Sequence, residues 1–393
     1  MNRPPVLLDA SHTSHTRTQT GIQRVCRSLY AALEADDGVI PVCFDPHLDA
    51  WRTLGRPEFD ALRDNTGGPA GTTRGAAWSF GEKLAGHARR LTGQNPGLPE
   101  AHGLICPELF SPTIGARLTE LIEQADGPCV AIFHDAIGLK YPELTPPSTV
   151  ARLPAYLREL LQFDGIAAVS DDSAASLRDY WHWLGADHPP PVITIPHGVD
   201  HPIVGAPEPS GAPRVLSVGT IEGRKNHLAL LQAAQRLWAE GLEFELELIG
   251  LARADTAGAA LALIDALRRE KRPLIMHGHV SDARLHAAYA RCRFTVYPSL
   301  MEGFGLPVLE SLRHGKPCVC SGTGALGESA HGGGCVALEQ VDADALAHAM
   351  RRLLLEPAEV TRLALAARTR KFRTWHDCVA DLTNWMATLP RRH

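Results

Sequence analysis

The sequence predicts an α/β protein made of two doubly wound, Rossmann-like domains that face each other across a cleft. Three observations support this. At 393 residues the chain exceeds what one hydrophobic core ordinarily supports. Short apolar runs alternate with longer stretches of helical period from end to end, the pattern of parallel sheets covered on both faces. A Pro/Gly-rich stretch without periodicity, residues 201–213, divides the alternation into halves.

In the first half, strands are expected at Val6–Asp9, Val39–Phe44, Gly103–Cys106, Cys129–Phe133, Ile166–Val169 and Val192–Ile195. In the second they are expected at Val215–Val218, Phe244–Ile249, Leu274–His277, Phe294–Tyr297, Cys318–Cys320 and Cys335–Leu338. These runs are largely apolar and do not alternate with polar residues, as suits strands buried on both faces. Helical segments lie between them, such as Leu228–Ala239, which Gly241 closes as the residue after the C-cap. One segment breaks the rhythm: residues 67–97 hold eight glycines among basic residues that include Arg74, Lys83, Arg89 and Arg90. It reads either as a mobile surface insertion or as a loop that orders on an acidic or lipid-linked partner.

Composition excludes several classes. With 45% hydrophobic and 21% charged residues the chain is an ordinary globular protein. A net charge of −5 argues against nucleic acid as main partner. Residues 1–200 hold 16 basic against 24 acidic residues, and residues 201–393 hold 23 against 20, so an anionic ligand would favour the second half. The nine cysteines form no C-x-x-C pair and read as free buried thiols. No run approaches the ~18 apolar residues of a membrane span, and the N-terminus lacks a long apolar core. The expected location is cytoplasmic, with room for a peripheral contact at the membrane's inner face.

The most informative stretch is Glu302–Glu310, E-G-F-G-L-P-V-L-E. Pro307 suits the first turn of a helix, which places Glu302 in the preceding loop and Glu310 about one turn inside. Gly303 and Gly305, flanking Phe304 and followed by Leu306, let backbone N–H groups approach a bulky anion. The helix N-terminus adds partial positive charge. A diphosphate cradle with a hydroxyl-accepting carboxylate on each side fits a nucleotide sugar, and hydroxyl binding rather than acid/base chemistry suits both glutamates. A second motif, Val218–Asn226 (V-G-T-I-E-G-R-K-N), follows a strand and opens a helix, so that Gly219, Arg224 and Lys225 would meet the donor phosphates.

Together these motifs resemble the GT-B glycosyltransferases of family 4, the retaining group with an E-x7-E motif. The resemblance continues through Ser281–Tyr289, Tyr297-Pro298-Ser299, Gly315-Lys316-Pro317, Ala168–Ser170 and Ile195–Asp200, where His197 departs from the usual pattern. It also covers Phe372–Leu389, similar to a C-terminal helix that crosses back to the first domain. The resemblance implies an acceptor-side domain over residues 1–200, a linker over 201–213, a nucleotide-sugar-binding domain over 214–372 and the crossing helix over 373–393. It gives Glu310 the nucleotide ribose, Glu302 the transferred sugar, and Arg224 and Lys225 the diphosphate. Many relatives carry an arginine where this chain has Thr220, so the phosphate arginine has to be Arg224.

His134, in Phe133-His134-Asp135 after a strand, is the first-domain candidate catalytic residue. Such a histidine is usually structural, but its place at a strand's carboxyl end, where the facing domain brings the donor, favours function. Asp135 would orient it or the loop. Thr20–Val25 (T-G-I-Q-R-V) resembles bacterial cell-surface polysaccharide glycosyltransferases. Thr20 would cap a helix and Gly21 would approach the donor, while Arg24 reads equally as a ligand contact or as part of a solvated face.

Two patterns mislead. Gly322–Gly327 spells G-x-G-x-x-G, but Gly332, Gly333 and Gly334 would interrupt a helix within two turns, so it reads as a loop near the donor. Asp342-Ala343-Asp344 spells D-x-D but precedes a helical run over Ala345–Leu354, where N-capping accounts for it. His277, His279 and His286 are too loosely arranged for a metal. The expected reaction is therefore transfer of a hexose, mannose or rhamnose first, from a nucleoside-diphosphate sugar to a hydroxyl of a glycan or lipid-linked acceptor, with no metal and no other cofactor. The alternatives are a sugar-nucleotide epimerase of related fold, an NAD-dependent oxidoreductase using Gly322–Gly327, and a non-catalytic carbohydrate-binding protein.

Overall fold

The computed structural model describes residues 5–17, 21–35, 38–64, 77–93, 97–199 and 211–392. The expected N-cap Thr20, Asp200, residues 201–210 of the linker, and residues 67–76 and 94–96 of the glycine-rich segment lie outside these.

Seven strands form the first sheet: β1 (Val6–Asp9), β2 (Val39–Asp45), β3 (Ala50–Thr53), β4 (Leu104–Cys106), β5 (Cys129–Phe133), β6 (Gly165–Ala168) and β7 (Val192–Thr194). Six form the second: β8 (Arg214–Val218), β9 (Glu245–Ile249), β10 (Leu274–His277), β11 (Phe294–Tyr297), β12 (Cys318–Ser321) and β13 (Cys335–Leu338). The spatial orders are β3-β2-β1-β4-β5-β6-β7 and β10-β9-β8-β11-β12-β13. Both are doubly wound, and every pairing is parallel except β2–β3. The expected strands all appear within about a residue of their ends. The addition is β3, which pairs antiparallel with β2 through Phe44↔Trp51 and Cys43↔Arg52. Its four residues are too few and too polar to stand out from a loop.

In each sheet the winding reverses direction at the centre, between β1 and β4 and between β8 and β11. Crevices for ligands open at the carboxyl ends of the strands at such points. The loops after β8 and β11 carry Gly219–Lys225 and Ser299–Glu302, so topology gathers the two sequence motifs at one crevice.

The last helix, Trp375–Met386, is capped by Thr374, whose side chain accepts from Asp377 N while Asp377 reaches back to Thr374 N at 2.8 Å. Its face of Trp375, Cys378, Val379, Leu382 and Met386 joins Leu8, Leu29, Ile105 and Val130 of the first sheet's core. Gly165 and Gly198 are glycines because this segment lies on them: an added Cβ would come 2.6 Å from the Trp385 ring and 2.3 Å from Trp375 N.

Two expectations need correction. Within the glycine-rich segment, Phe80–Thr92 is a 13-residue helix, started by a Ser79/Glu82 capping box and ended by Gly93 at φ 68°. Local capping prevails there over two internal glycines. The Gly322–Gly327 stretch is no loop either, since Gly324–Ala330 is a short helix. Gly327 lets it pack on the Gly322 carbonyl, which an added Cβ would approach to 2.3 Å, and the chain turns away only at Gly332–Gly334, all with φ near +90°. Asp342 is the N-cap expected of it, accepting from Ala345 N at 2.8 Å.

Candidate active site

Glu302 is the hub of the second-sheet crevice. Its carboxylate, 9% exposed, accepts from Arg224 Nη1 at 2.8 Å, from Tyr297 OH at 3.0 Å, and from Lys225 Nζ and Ser299 Oγ. Arg224 is braced on its far side by Glu222 at 2.8 Å, and the Lys225 ammonium lies 4.9 Å above the Tyr297 ring. Burial alone would push the Glu302 carboxyl up, but Arg224 and Lys225 outweigh it and pull it to about 2. Burial lowers Lys225 and opposes the pull of Glu302, whereas Arg224 is raised by Glu302 and Glu222 against its burial. A fixed ion pair of this kind is sustained only while both signs are present.

The backbone around the hub is set by glycines. Gly305 precedes the Leu306–Arg313 helix at φ 114°, a region side chains avoid, and Pro307 sits in the first turn. Gly219 has φ 150°, and its carbonyl is so close to Gly250 that an added Cβ there would come to 1.9 Å. Gly303 meets a need that sequence does not reveal: a Cβ would strike the His134 carbonyl at 2.1 Å. Here the two domains touch, and Ser170 Oγ donates to the Gly303 carbonyl at 2.7 Å. Phe304 packs edge-on against His197, ring centroids 5.0 Å apart, and its carbonyl accepts from Ser329 Oγ at 2.7 Å.

Glu310, 2% exposed, stands on the inner face of the Leu306–Arg313 helix. One oxygen accepts from Tyr289 OH at 3.1 Å and the other from Arg24 of the first domain. The open alternatives for Arg24 thus resolve into an interdomain ion pair with a guanidinium about a third exposed. Tyr289 is itself stacked on His314, centroids 4.9 Å apart, and His314 Nε2 lies 3.1 Å from His286 Nδ1. Gly21 opens the helix that carries Arg24, with open space where a side chain would be.

His134 is buried, with Nε2 2.7 Å from the Pro107 carbonyl. A carbonyl only accepts, so Nε2 bears the proton. Burial lowers the ring's pKa, which leaves a neutral imidazole beside His197, 5.9 Å away, itself lowered further by burial and by His134. The His134 backbone therefore meets the Glu302–Glu310 segment, while its ring is tied to the first domain. Asp135 caps the following turn through Ile137 N at 3.0 Å.

At the equivalent end of the first sheet, Asp9 is the last residue of β1 and Glu108 follows β4. Glu108 pins the loop between by accepting from His12 N and Thr13 N, each at 2.8 Å, and from Thr13 Oγ1. Asp9 accepts from Ser11 Oγ at 2.6 Å. Burial and the neighbouring Glu108 charge push Asp9 up to about 7. Neither residue stands out in sequence, because a lone acid after a strand has no local signature.

The G-x-G-x-x-G turn lies at the domain seam. An added Cβ on Gly324 would sit 3.4 Å from the Asp172 carboxylate, and Glu328 accepts from Asp171 N and Asp172 N at 2.9 and 2.8 Å. Among the described residues one trio, His15, Cys43 and Glu58, brings ligand atoms within 4.8 Å of each other. Glu58 there already accepts from Arg52 Nη1 and Nη2, both at 2.7 Å, and lies 2.8 Å from His15 Nε2, so the cluster is a closed ion-pair network.

Residues 204–371 match the family model described as glycosyl transferases group 1. The chain is 26% identical over 351 residues to the serotype-specific mannosyltransferase WbdA of Escherichia coli, covering 80% of this chain and 38% of that protein. It is 36% identical over 172 residues to O-antigen chain mannosyltransferase B of Escherichia coli, covering 43% and 44%. The match thus spans less than half the length of each of these two relatives. Among solved structures, sucrose-phosphate synthase from Thermosynechococcus elongatus superposes with a TM-score of 0.71 at 20% identity, over 98% of both chains. Anabaena HepE in complex with UDP and glucose superposes at 0.67 and 15%, over 98% of this chain and all of that one. The described residues have the GT-B fold of two facing Rossmann-like domains, and the part that carries Arg224, Lys225, Glu302 and Glu310 matches the glycosyl transferases group 1 model.

Proposed function

We propose that this chain is a retaining hexosyltransferase of the family 4, E-x7-E type. It moves a sugar, mannose before rhamnose, from a nucleoside-diphosphate donor to a hydroxyl of a glycan or lipid-linked acceptor. The observation that carries this is the convergence of Arg224 and Lys225 on Glu302 in a glycine-shaped turn at the second sheet's crevice, with Glu310 one turn into the adjoining helix. Two fixed cations beside backbone N–H groups suit a diphosphate, and a carboxylate on either side suits hydroxyls of sugar and ribose. Mannose comes first because the two curated relatives are named mannosyltransferases.

In this reading the 214–372 domain binds the donor and the 1–200 domain presents the acceptor. The bond from the anomeric carbon to the leaving phosphate oxygen breaks, and the acceptor oxygen bonds to that carbon on the same face. The acceptor's proton passes to the departing diphosphate. Arg224 and Lys225 stabilise the charge that develops there, so the reaction draws on no metal. Neutral His134 shapes the sugar pocket without donating a proton. The enzyme would act in the cytoplasm, at the inner face of the membrane where a lipid-linked acceptor is held.

The test is a thermal-shift panel of UDP, GDP, ADP, TDP, CMP and NAD on wild type and Glu310→Ala. A nucleotide at a hundredfold excess over Kd adds about 2.7 kcal/mol of stability. One nucleoside diphosphate should raise the wild-type melting temperature and leave Glu310→Ala unmoved. Stabilisation by NAD alone would overturn the assignment in favour of an oxidoreductase.

A further inference from the structure

Eight of the nine cysteines are buried, and Cys335 is the exception. It opens β13, the edge strand of the second sheet, and lies directly across from Cys318 of β12 in the parallel register. Cys320 is two residues further along β12 and so points to the same side of the sheet. All three side chains pack in one cluster with Val308, Leu312, Leu326 and Ala367, and Cys335 is its partly buried member. The residues just before it, Gly332 and Gly333, are exposed and carry no side chain to cover it. Three thiols thus meet at one place, with one of them open to solvent.

A cation stands beside this group. Arg370 donates from Nη1 to the Ser329 carbonyl at 2.9 Å and lies 5.6 Å from the Phe372 ring. Gly332 leaves it room, since an added Cβ would come 3.6 Å from the guanidinium carbon. The neighbouring thiols of Cys318 and Cys320 lower the Cys335 pKa, partial burial opposes them, and Arg370 adds to the lowering. The other eight cysteines all shift upward. Negative charge therefore settles on the one sulfur that solvent reaches, and the thiolate is the nucleophilic form of cysteine.

We propose that Cys335 is a peroxide-reactive thiol with Cys318 as its resolving partner. The Cys335 sulfur attacks one oxygen of a hydroperoxide. The O–O bond breaks, an S–O bond forms, and the departing oxygen takes up a proton and leaves. The Cys318 sulfur then attacks the sulfenic acid, so that an S–S bond forms, the S–O bond breaks and water leaves. With hydrogen peroxide, two thiols and one peroxide become a disulfide and two waters. Register selects Cys318 over Cys320. Paired residues of neighbouring strands stand about 4.8 Å apart, inside the Cα range of a disulfide. Cys320 lies about 6.6 Å further along β12, which takes its Cα beyond that range. Because β13 is an edge strand, unpaired on its outer side, it is free to move toward β12 as the bond closes. The bond would tie together both ends of segment 319–334, which carries the Glu328 contacts to Asp171 N and Asp172 N at the domain seam. This chemistry draws on neither the donor nor the transfer reaction.

The experiment treats the reduced full chain with hydrogen peroxide, unfolds it, labels the remaining thiols with N-ethylmaleimide and counts the labels by intact mass. Wild type should lose two of its nine labels, leaving seven, and dithiothreitol should restore all nine. Peptide mapping should show Cys335 linked to Cys318. Cys335→Ser should lower the rate of thiol loss at least about tenfold, because the cysteines that remain are buried. Cys318→Ser should instead accumulate a sulfenic acid at Cys335, which dimedone traps. Cys320→Ser should still form the link, which separates a lost partner from a packing defect. Nine labels after prolonged peroxide, or a link between any other pair, would overturn the proposal. So would oxidation of Cys335→Ser at the wild-type rate. The wild-type map alone decides the partner if a Cys318 variant does not fold.

Discussion

The carboxyl ends of the two sheets pose the same topological question and receive opposite electrostatic answers. Both open a crevice where the winding reverses, between β1 and β4 in one sheet and between β8 and β11 in the other. At the second sheet, Glu302 sits among Arg224, Lys225, Tyr297 and Ser299, and its carboxyl is held at about 2. At the first, Asp9 and Glu108 both bind the buried loop after β1, and burial together with the Glu108 charge raises Asp9 to about 7. A crevice stocked with cations can take the diphosphate end of a donor. One stocked with acids whose hydrogen bonds go to its own loop can only hold that loop still. Fold alone does not say which crevice does chemistry; the charges set into it do.

The largest test of this contrast is to empty the cation side. Lys225→Ala and Arg224→Ala each remove a cation that, in the proposed reading, faces the leaving diphosphate, and leave Glu302 buried with less compensation. Each should slow transfer by roughly 10²–10³, about 3–4 kcal/mol of barrier, as for loss of other preorganised charge stabilisers. Lys225→Arg should recover part of the rate and Lys225→Met none. Steady-state kinetics with the donor found by thermal shift would read this, and a loss under threefold for both alanine variants would mean the diphosphate binds elsewhere.

The next test separates the crevices by the sign of their pH dependence. Asp9 has a native pKa near 7 against an ordinary carboxyl value of 3.8, so between these values the native state holds a proton that the unfolded chain has lost. Stability then falls as pH rises through this window, by about 2 kcal/mol between pH 5 and 7, and levels off above. Glu302 runs the other way: its native pKa of about 2 lies below the ordinary 4.5, so its contribution is complete above pH 4.5 and is lost as pH falls toward 2. Urea melts of wild type and Asp9→Asn from pH 4.5 to 8 should show a decline in wild type that the variant flattens. Parallel profiles would mean that Asp9 is ionised throughout.

How much of this was legible in advance follows the range of the interactions. The strands, the cap at Asp342 and the convergence of Arg224 and Lys225 on the Glu302 turn could be read because apolar runs, capping residues and glycine turns are local signals. The hidden features act across long separations. Gly303 has to be glycine because the His134 backbone, 169 positions earlier, lies against it. Tyr289, 21 positions away, hydrogen-bonds Glu310. Glu108, 95 positions from Thr13, fixes the loop after β1. The G-x-G-x-x-G pattern is the reverse case: a strong local signal whose glycines serve packing, Gly327 on the Gly322 carbonyl and Gly324 beside Asp172 at the seam between domains.

The smallest test concerns Arg24, a side chain that reaches from one domain to the other. Arg24 leaves the first domain to pair with Glu310, yet its guanidinium is about a third exposed, so the pair contributes little by itself, of order 1 kcal/mol or less. In the reading above, Glu310 is the acceptor for ribose hydroxyls, and Arg24 occupies it when no nucleotide is bound. Removing Arg24 takes a cation away from a buried carboxylate that Tyr289 also holds, and a ribose hydroxyl would relieve that deficit. Arg24→Ala should therefore tighten nucleoside diphosphate binding two- to fivefold by calorimetry, whereas Tyr289→Phe, which leaves Arg24 in place, should not. Weaker binding in Arg24→Ala would place the guanidinium on the donor itself. The first domain would then supply a cation to the phosphate site, and the electrostatic division between the two crevices would be less complete than their carboxylates indicate.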